Sequence, residues 1–349
     1  MKRSHLITVL AAASLSMSLA ACSSVAGSAP ASSSSSSSVW KGTGKAASAL
    51  KFGTVVKSMG FNWFIRMQTG VKKFGSDTGI KAFEQGPSQA DPAQENQVAQ
   101  DMLSQNLDAL IVDPIAVPTA ESVMKQAMDQ RVVVIALESP GVKNAVYDVE
   151  PFDNAAYGRH MMDQLATKMG DKGQYSVFVG ALSSQSQAEW TDAAIAYQKQ
   201  KYSNMSMVGD KNVTSSTQAT SYAEMKQMMQ KYPNLGGMLG ADAFDVVGAG
   251  QAVQEAGLSG KIAVIGTSIV SYAGDLLKSG AISQISTWDP AAHGYVGNKV
   301  AQLVLQGKKI VTGMDLGVTG FNKVTVTGKT IVGSSWVDIT KSNMAKYNF

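Results

Sequence analysis

From Leu50 onward, short β-branched runs alternate with longer stretches of helical character, and this alternation narrows the fold more than any other feature. The runs are Phe52 to Val56, Ala109 to Val112, Val132 to Leu137, Tyr175 to Val179, Met238 to Gly240 and Ile262 to Ile265. Between them lie Pro92 to Gln105, Ala120 to Gln130, Trp190 to Lys201 and Phe244 to Ala256, all with helix-type spacing. Alternation of this kind means strand-helix-strand units, hence parallel sheets and an α/β class. Start signals agree, since Asp91-Pro92 and Asp289-Pro290 each put an N-cap acceptor before a proline at the first helical position. Gly79, Gly170, Gly257 and Gly280 fall where a left-handed C-cap would end a helix.

Parallel α/β sheets bind ligands outside the carboxyl ends of their strands, so the residues just after each run are the candidates. These are Lys57, Asp113, Glu138, the segment from Gly180 to Ser186, Ala241-Asp242-Ala243, and Trp288-Asp289 after a further strand, "AISQIST". Phe61, Asn62, Trp63 and Phe64 follow Lys57 closely. Charged groups bond hydroxyls and ring faces cover C–H surfaces, so the set suits a polyhydroxylated ligand. Plainer roles stay open. Lys57 also fits a surface loop, the aromatics fit a first turn packing on the sheet, and Asp289 and Asp242 fit helix caps.

The chain opens Met1-Lys2-Arg3, runs through apolar residues to Leu19-Ala20-Ala21-Cys22, and reads as an export signal over residues 1–21. Its apolar core is short of the roughly 20 residues a spanning helix needs. Leu-Ala-Ala-Cys looks like the bacterial lipobox, making Cys22 the site of lipidation. Cys22 is also the one cysteine, so an internal disulfide or cysteine metal site is excluded. Residues 22–48, with serine unbroken from Ser32 to Ser38, read as a flexible tether spanning roughly 25 to 30 Å. The formal charge of +4 falls by two when Lys2 and Arg3 leave, which argues against a nucleic-acid surface.

Enzyme signatures are missing. His160 and His293 lie in no metal spacing, and there is no phosphate loop or nucleophile elbow. Gly248-Ala249-Gly250 begins like a dinucleotide fingerprint but lacks the third glycine and falls inside a helical stretch, which reads as close helix packing. Asn212-Val213-Thr214 matches a glycosylation acceptor by chance. A binding module without cofactor or metal is the expectation.

From about Lys51 to Phe349 the chain resembles the type I sugar-binding lipoproteins and periplasmic proteins of ABC importers, and within them the autoinducer-2-binding and rhamnose-binding group. The residues that carry this are "KSMG" from Lys57, "YPNLGGMLGADAFDVVGAGQAVQEAG" from Tyr232, "TWDPAAHGYVGNKVAQLVL" from Thr287, "GFNKVTV" from Gly320 and the terminal "NMAKYNF". The resemblance implies two doubly wound parallel-sheet lobes joined by a three-strand hinge, with ligand held between them. The lobes would comprise 49–150 plus 290–314, and 151–287 plus 318–349, with crossings near 148–153, 284–289 and 312–320. Ligand contacts from both lobes would favour the closed form, which a membrane permease recognises.

The autoinducer-2-binding relatives use a lysine, two aspartates, a glutamine and a Pro-Asp-Ala turn. On this chain the lysine falls on Lys57, the first aspartate on Glu138, the Asp-Gln pair on Ser186 and Gln187 counted back from Trp190, and the turn on Ala241-Asp242-Ala243. One carboxylate is missing and another is a methylene longer. The expected role is therefore a lipid-anchored, monomeric extracytoplasmic receptor for a pentose, deoxy-hexose or sugar alcohol, with an autoinducer-2 receptor as the alternative. A transcription regulator on the same core is disfavoured by the signal and the absence of DNA-binding helices, and an extracytoplasmic enzyme by the missing motifs.

Overall fold

The computed structural model describes Trp40 and residues 42–349; the expected export signal, Cys22 and the serine run lie outside the described residues. The chain first builds β1 (Lys51–Val55), α1 (Asn62–Thr78), β2 (Lys81–Gln85), α2 (Pro92–Leu103), β3 (Ala109–Val112), α3 (Val117–Asp129), β4 (Val133–Leu137) and β5 (Tyr147–Glu150). It then forms α4 (Asn154–Met169), β6 (Gly173–Val179), α5 (Gln185–Lys201), β7 (Met205–Val213), α6 (Gln218–Lys231), β8 (Leu235–Gly240), α7 (Asp245–Glu255), β9 (Ala263–Thr267), α8 (Val270–Ser279) and β10 (Gln284–Thr287). Last come α9 (Pro290–Leu305), β11 (Thr325–Thr327), β12 (Thr330–Val332) and β13 (Val337–Ile339).

Two sheets result, with strands ordered β11-β12-β5-β4-β3-β1-β2 and β13-β10-β9-β8-β6-β7. The core of each, β2-β1-β3-β4-β5 and β7-β6-β8-β9-β10, is the same parallel, doubly wound order, whose direction reverses beside the first strand. Every residue of β3, β4, β9 and β10 is buried, as strands covered by helices on both faces require. Register places the site. Val55 pairs with Val112, and Val112 with Ala136, so Lys57, Asp113 and Glu138 leave the first sheet at nearly one level.

The expected helix ends are present. Asp91 accepts from the Ala93 and Gln94 amides at 2.8 and 2.9 Å, and Asp289 from Ala291 at 2.9 Å. Gly79, Gly170 and Gly280 are left-handed caps at φ 74°, 67° and 81°. Two other glycines allow helices to touch. A Cβ on Gly70 would lie 1.8 Å from the Ala291 carbonyl oxygen, so α1 and α9 meet backbone to backbone. A Cβ on Gly248 would lie 2.4 Å from the Gln218 carbonyl oxygen, which gives Gly248-Ala249-Gly250 its role in packing α7 on α6.

The chain passes between the sheets after β5, after β10 and after β12. The third passage corrects an expectation. Residues 318–332 do not join the second lobe, because the β11–β12 hairpin adds to the first sheet, with β12 parallel to β5. The crossing falls instead near Gly333 to Trp336, where the Gly333 amide donates to Glu150 and that of Ser335 to Pro151. The proposed tether is also shorter at its folded end. Trp40 packs on the core, the Thr43 amide donates to Leu305, and Lys45 pairs with Asp108 at 2.5 Å.

Candidate functional site

The switch point of the first sheet lies between β1 and β3, and that of the second between β6 and β8; the segments leaving these strands line one cavity. Lys57, Phe61, Trp63, Phe64 and Glu138 come from the first lobe, and Ser186, Gln187, Trp190, Ala241, Asp242 and Ala243 from the second, with Trp288 at the second crossing. The cavity encloses about 110 Å³, room for several waters at roughly 10 to 15 Å³ each.

Lys57 is the charged centre. Its Nζ lies 2.9 Å from Asp113 Oδ1 and 3.3 Å from Glu138 Oε2, with the Lys57 side chain 22% exposed and Asp113 fully buried. Burial works against the ammonium, but the two carboxylates overcome it and raise its pKa. Burial and the neighbouring Glu138 push Asp113 up to about 7. Glu138 resists the same burial because Lys57 and His293 of α9 hold it down, to about 2. Glu138 also sits in the left-handed backbone region at φ 50°, a strained choice for a residue with a Cβ and one met at functional sites.

The second lobe presents a prearranged polar rim. Asp242 Oδ2 accepts from Ser216 Oγ at 2.8 Å and Gln187 Nε2 at 3.3 Å, and its Oδ1 from the Phe244 amide at 3.0 Å. The Gly180 amide donates to Gln187 Oε1 at 2.9 Å, which fixes the amide orientation. Beneath the turn, buried Asp245 accepts from the Ala241 and Asp242 amides at 3.1 and 2.8 Å.

Aromatic rings form the rest of the wall. Trp63 and Trp190 meet Trp288 edge to face at centroid distances of 4.8 and 5.8 Å. Trp190 Nε1 donates to Asn154 at 2.6 Å, whereas the buried Trp288 Nε1 has no hydrogen-bond partner among the described residues. Across the mouth, Phe61 packs on Phe244 at 5.2 Å and the Asn62 amide donates to the Tyr272 hydroxyl, so the two lobes touch in a closed arrangement.

Three expected contacts are not in the wall. Asn62 is exposed and enters only through its backbone amide. Asp113 is covered by Lys57 and acts from beneath. Asp289 turns to the opposite side, where it caps α9 and takes two bonds from Arg66, at 2.8 and 2.7 Å, beside a separate groove. Wall residues not anticipated include Ala90 and Ile115, from loops, whereas Ala181 and Ser184 fall in the anticipated segment from Gly180 to Ser186. Ser216, Phe244, Thr267 and Tyr272 complete the unanticipated set. Phe244 adjoins an anticipated segment, while Tyr272, on α8, carried no sequence signal. Among the described residues no group of three or more His, Cys, Asp or Glu side chains is arranged for a metal, and no helix is long and apolar enough to cross a membrane.

Residues 52–309 match the family described as the periplasmic binding protein domain. The D-allose-binding periplasmic protein of Escherichia coli (strain K12) is 22% identical over 271 residues, covering 73% of this chain and 84% of that protein. LsrB from Clostridium saccharobutylicum in complex with AI-2 superposes with a TM-score of 0.78 at 18% identity, covering 86% of this chain and all of the other. A solute binding protein of an ABC transporter from Clostridium phytofermentas with bound L-rhamnose gives 0.77 at 18% identity, covering 85% and 98%. These two likenesses establish a shared fold of two α/β lobes. With a family match across most of the folded chain and a cavity between paired switch points, the protein belongs to the periplasmic binding protein domain family.

Proposed function

We propose that the protein is a lipid-anchored, extracytoplasmic solute-binding protein that captures a small carbohydrate in this cleft and delivers it to an ABC importer. The observation that carries the reading is the mixed wall: the Lys57–Glu138 ion pair and Trp288, whose buried indole N–H has no partner among the described residues, line the same space as Trp63, Trp190 and Phe61. An ion pair can give and accept hydrogen bonds with adjacent hydroxyls, and flat rings cover the C–H faces of a sugar. Similar proteins that bind D-allose and L-rhamnose support a monosaccharide. Cys22 would carry the anchor, and the closed form would meet the permease.

Autoinducer-2 is the second reading, favoured by Lys57, Gln187 and the Ala241-Asp242-Ala243 turn all lining the cavity, as the resemblance implies. Glu138 and Ser186 stand against it.

A thermal-shift panel of pentoses, deoxy-hexoses, D-allose, sugar alcohols and autoinducer-2, followed by calorimetry, tests the proposal. A ligand at 100 times its Kd adds about 2.7 kcal/mol and raises Tm by several degrees. One carbohydrate class is expected to do so. No shift from any carbohydrate, with no sugar released on unfolding by mass spectrometry, would overturn the reading.

A further inference from the structure

His293, in the first turn of α9, is fully buried behind the carboxylate that faces the cavity. Its Nε2 lies 3.0 Å from the Val149 carbonyl oxygen, which can only accept, so that nitrogen carries a hydrogen. Its Nδ1 lies 3.4 Å from Glu138 Oε1. A bare Nδ1 would point a lone pair at a carboxylate in a fully buried site; a protonated one faces it favourably. Charge balance argues the same way. Whenever Asp113, raised to about 7, is ionised, Lys57 alone cannot neutralise both it and Glu138, and an uncompensated buried charge is costly.

Among the described residues the groups around the pair add no other cation. Asp148 and Glu150 face it from β5, Glu95 of α2 and Glu84 of β2 lie beyond Asp113, and Tyr157 approaches from α4. Burial raises all five, Glu84 to about 9 and Glu95 to about 8, so these two are neutral acids at physiological pH.

We propose that His293 is an imidazolium at neutral pH and a positioning residue, holding Glu138 in its left-handed conformation as an acceptor for ligand hydroxyls. The consequence for affinity rests on the carbohydrate-binding reading; the charge state does not. Burial opposes the charge on His293, but the Glu138 carboxylate 3.4 Å from Nδ1 outweighs it and leaves its pKa raised. A raised histidine is charged at low pH and loses its proton as pH climbs, so Glu138 loses its support on the alkaline side.

Long-range proton–nitrogen spectra of the full chain test this directly, because only three histidines occur and a His160→Gln variant separates two of them. The expected pattern for His293 is two protonated nitrogens at about pH 7, with titration above the ordinary value of about 6.5. A Glu138→Gln variant should bring that titration below it. Fluorescence titrations with D-allose, L-rhamnose, D-ribose and xylitol read the consequence. For a sugar that binds, Kd should hold on the acid side and weaken about tenfold as His293 deprotonates. His293→Gln should be about tenfold weaker near neutral pH and lack the step. A neutral Nε2–H tautomer at about pH 7, or a Kd indifferent to the titration, overturns the proposal. Should none of the four sugars bind, the functional reading is what suffers, and the spectra of wild type and Glu138→Gln still decide this one.

Discussion

Replacing Lys57 by alanine removes the cation 2.9 Å from Asp113 and 3.3 Å from Glu138. At an effective dielectric constant of about 20, each contact carries roughly 5 kcal/mol of gross attraction, most of it spent against desolvation. Removing one partner of a buried pair costs about 3–5 kcal/mol net, and because Lys57 is 22% exposed the lower end, about 3 kcal/mol, is expected near neutral pH. The loss should follow pH in one direction. Glu138, held near 2 against burial by Lys57 and His293, contributes stability that is present above its unfolded value and lost only as pH falls through about 2. Asp113, raised to about 7, already favours the folded state at acid pH and weakens it as pH climbs toward 7. Without Lys57 both carboxyls rise further. Relative to wild type the variant should lose most at about pH 8 and less at about pH 5, where Asp113 is neutral and only the support of Glu138 is missing. Urea unfolding at the two pH values reads the difference. Equal losses at both, or a loss under about 1 kcal/mol at the higher, would refute the reasoning.

Gly70→Ala puts a methyl 1.8 Å from the Ala291 carbonyl oxygen, so α1 and α9 must part; a loss of about 1–3 kcal/mol in urea unfolding is expected, and an unchanged midpoint would contradict the packing. Tyr272→Phe removes the acceptor of the Asn62 amide across the cleft. Stopped-flow release of a bound sugar should quicken up to about tenfold while stability holds. His160, raised by its bond to Asp338 against partial burial, should contribute stability that is complete below about pH 6.5 and fades as pH rises through its folded value. The pair is partly solvated, so the contribution stays under about 1 kcal/mol, and His160→Gln should remove the slope.

What could be read in advance, and what could not, follows from burial. β4 is apolar at all five positions because helices cover both faces, and such a run declares itself. β2 and β7 are edge strands whose exposed, charged residues dilute the pattern, so Lys81–Gln85 and Met205–Val213 carried no strand signal. β5 contains the buried acids Asp148 and Glu150, which look like loop residues until the neighbouring sheet is known. The β11–β12 hairpin was assigned to the wrong lobe because its partner strand lies far away in sequence. Strand-end residues such as Lys57 and Glu138 were legible since topology puts strand ends at the cleft. Asp289 also leaves a strand end, yet Arg66 on α1 draws it to the other side, and a pairing between residues 223 positions apart leaves no local trace. Tyr272 reaches the cavity only because α8 packs beside the rim.

The proposed carbohydrate sits between the charged edge at Lys57 and Glu138 and the aromatic wall at Trp288. A crystal structure of the protein with the sugar selected by the panel tests this placement most directly. Hydroxyls are expected within hydrogen-bond reach of Lys57 Nζ, a Glu138 carboxylate oxygen and Trp288 Nε1, with both lobes in contact. A sugar bound elsewhere, or one that leaves these three atoms untouched, would contradict it.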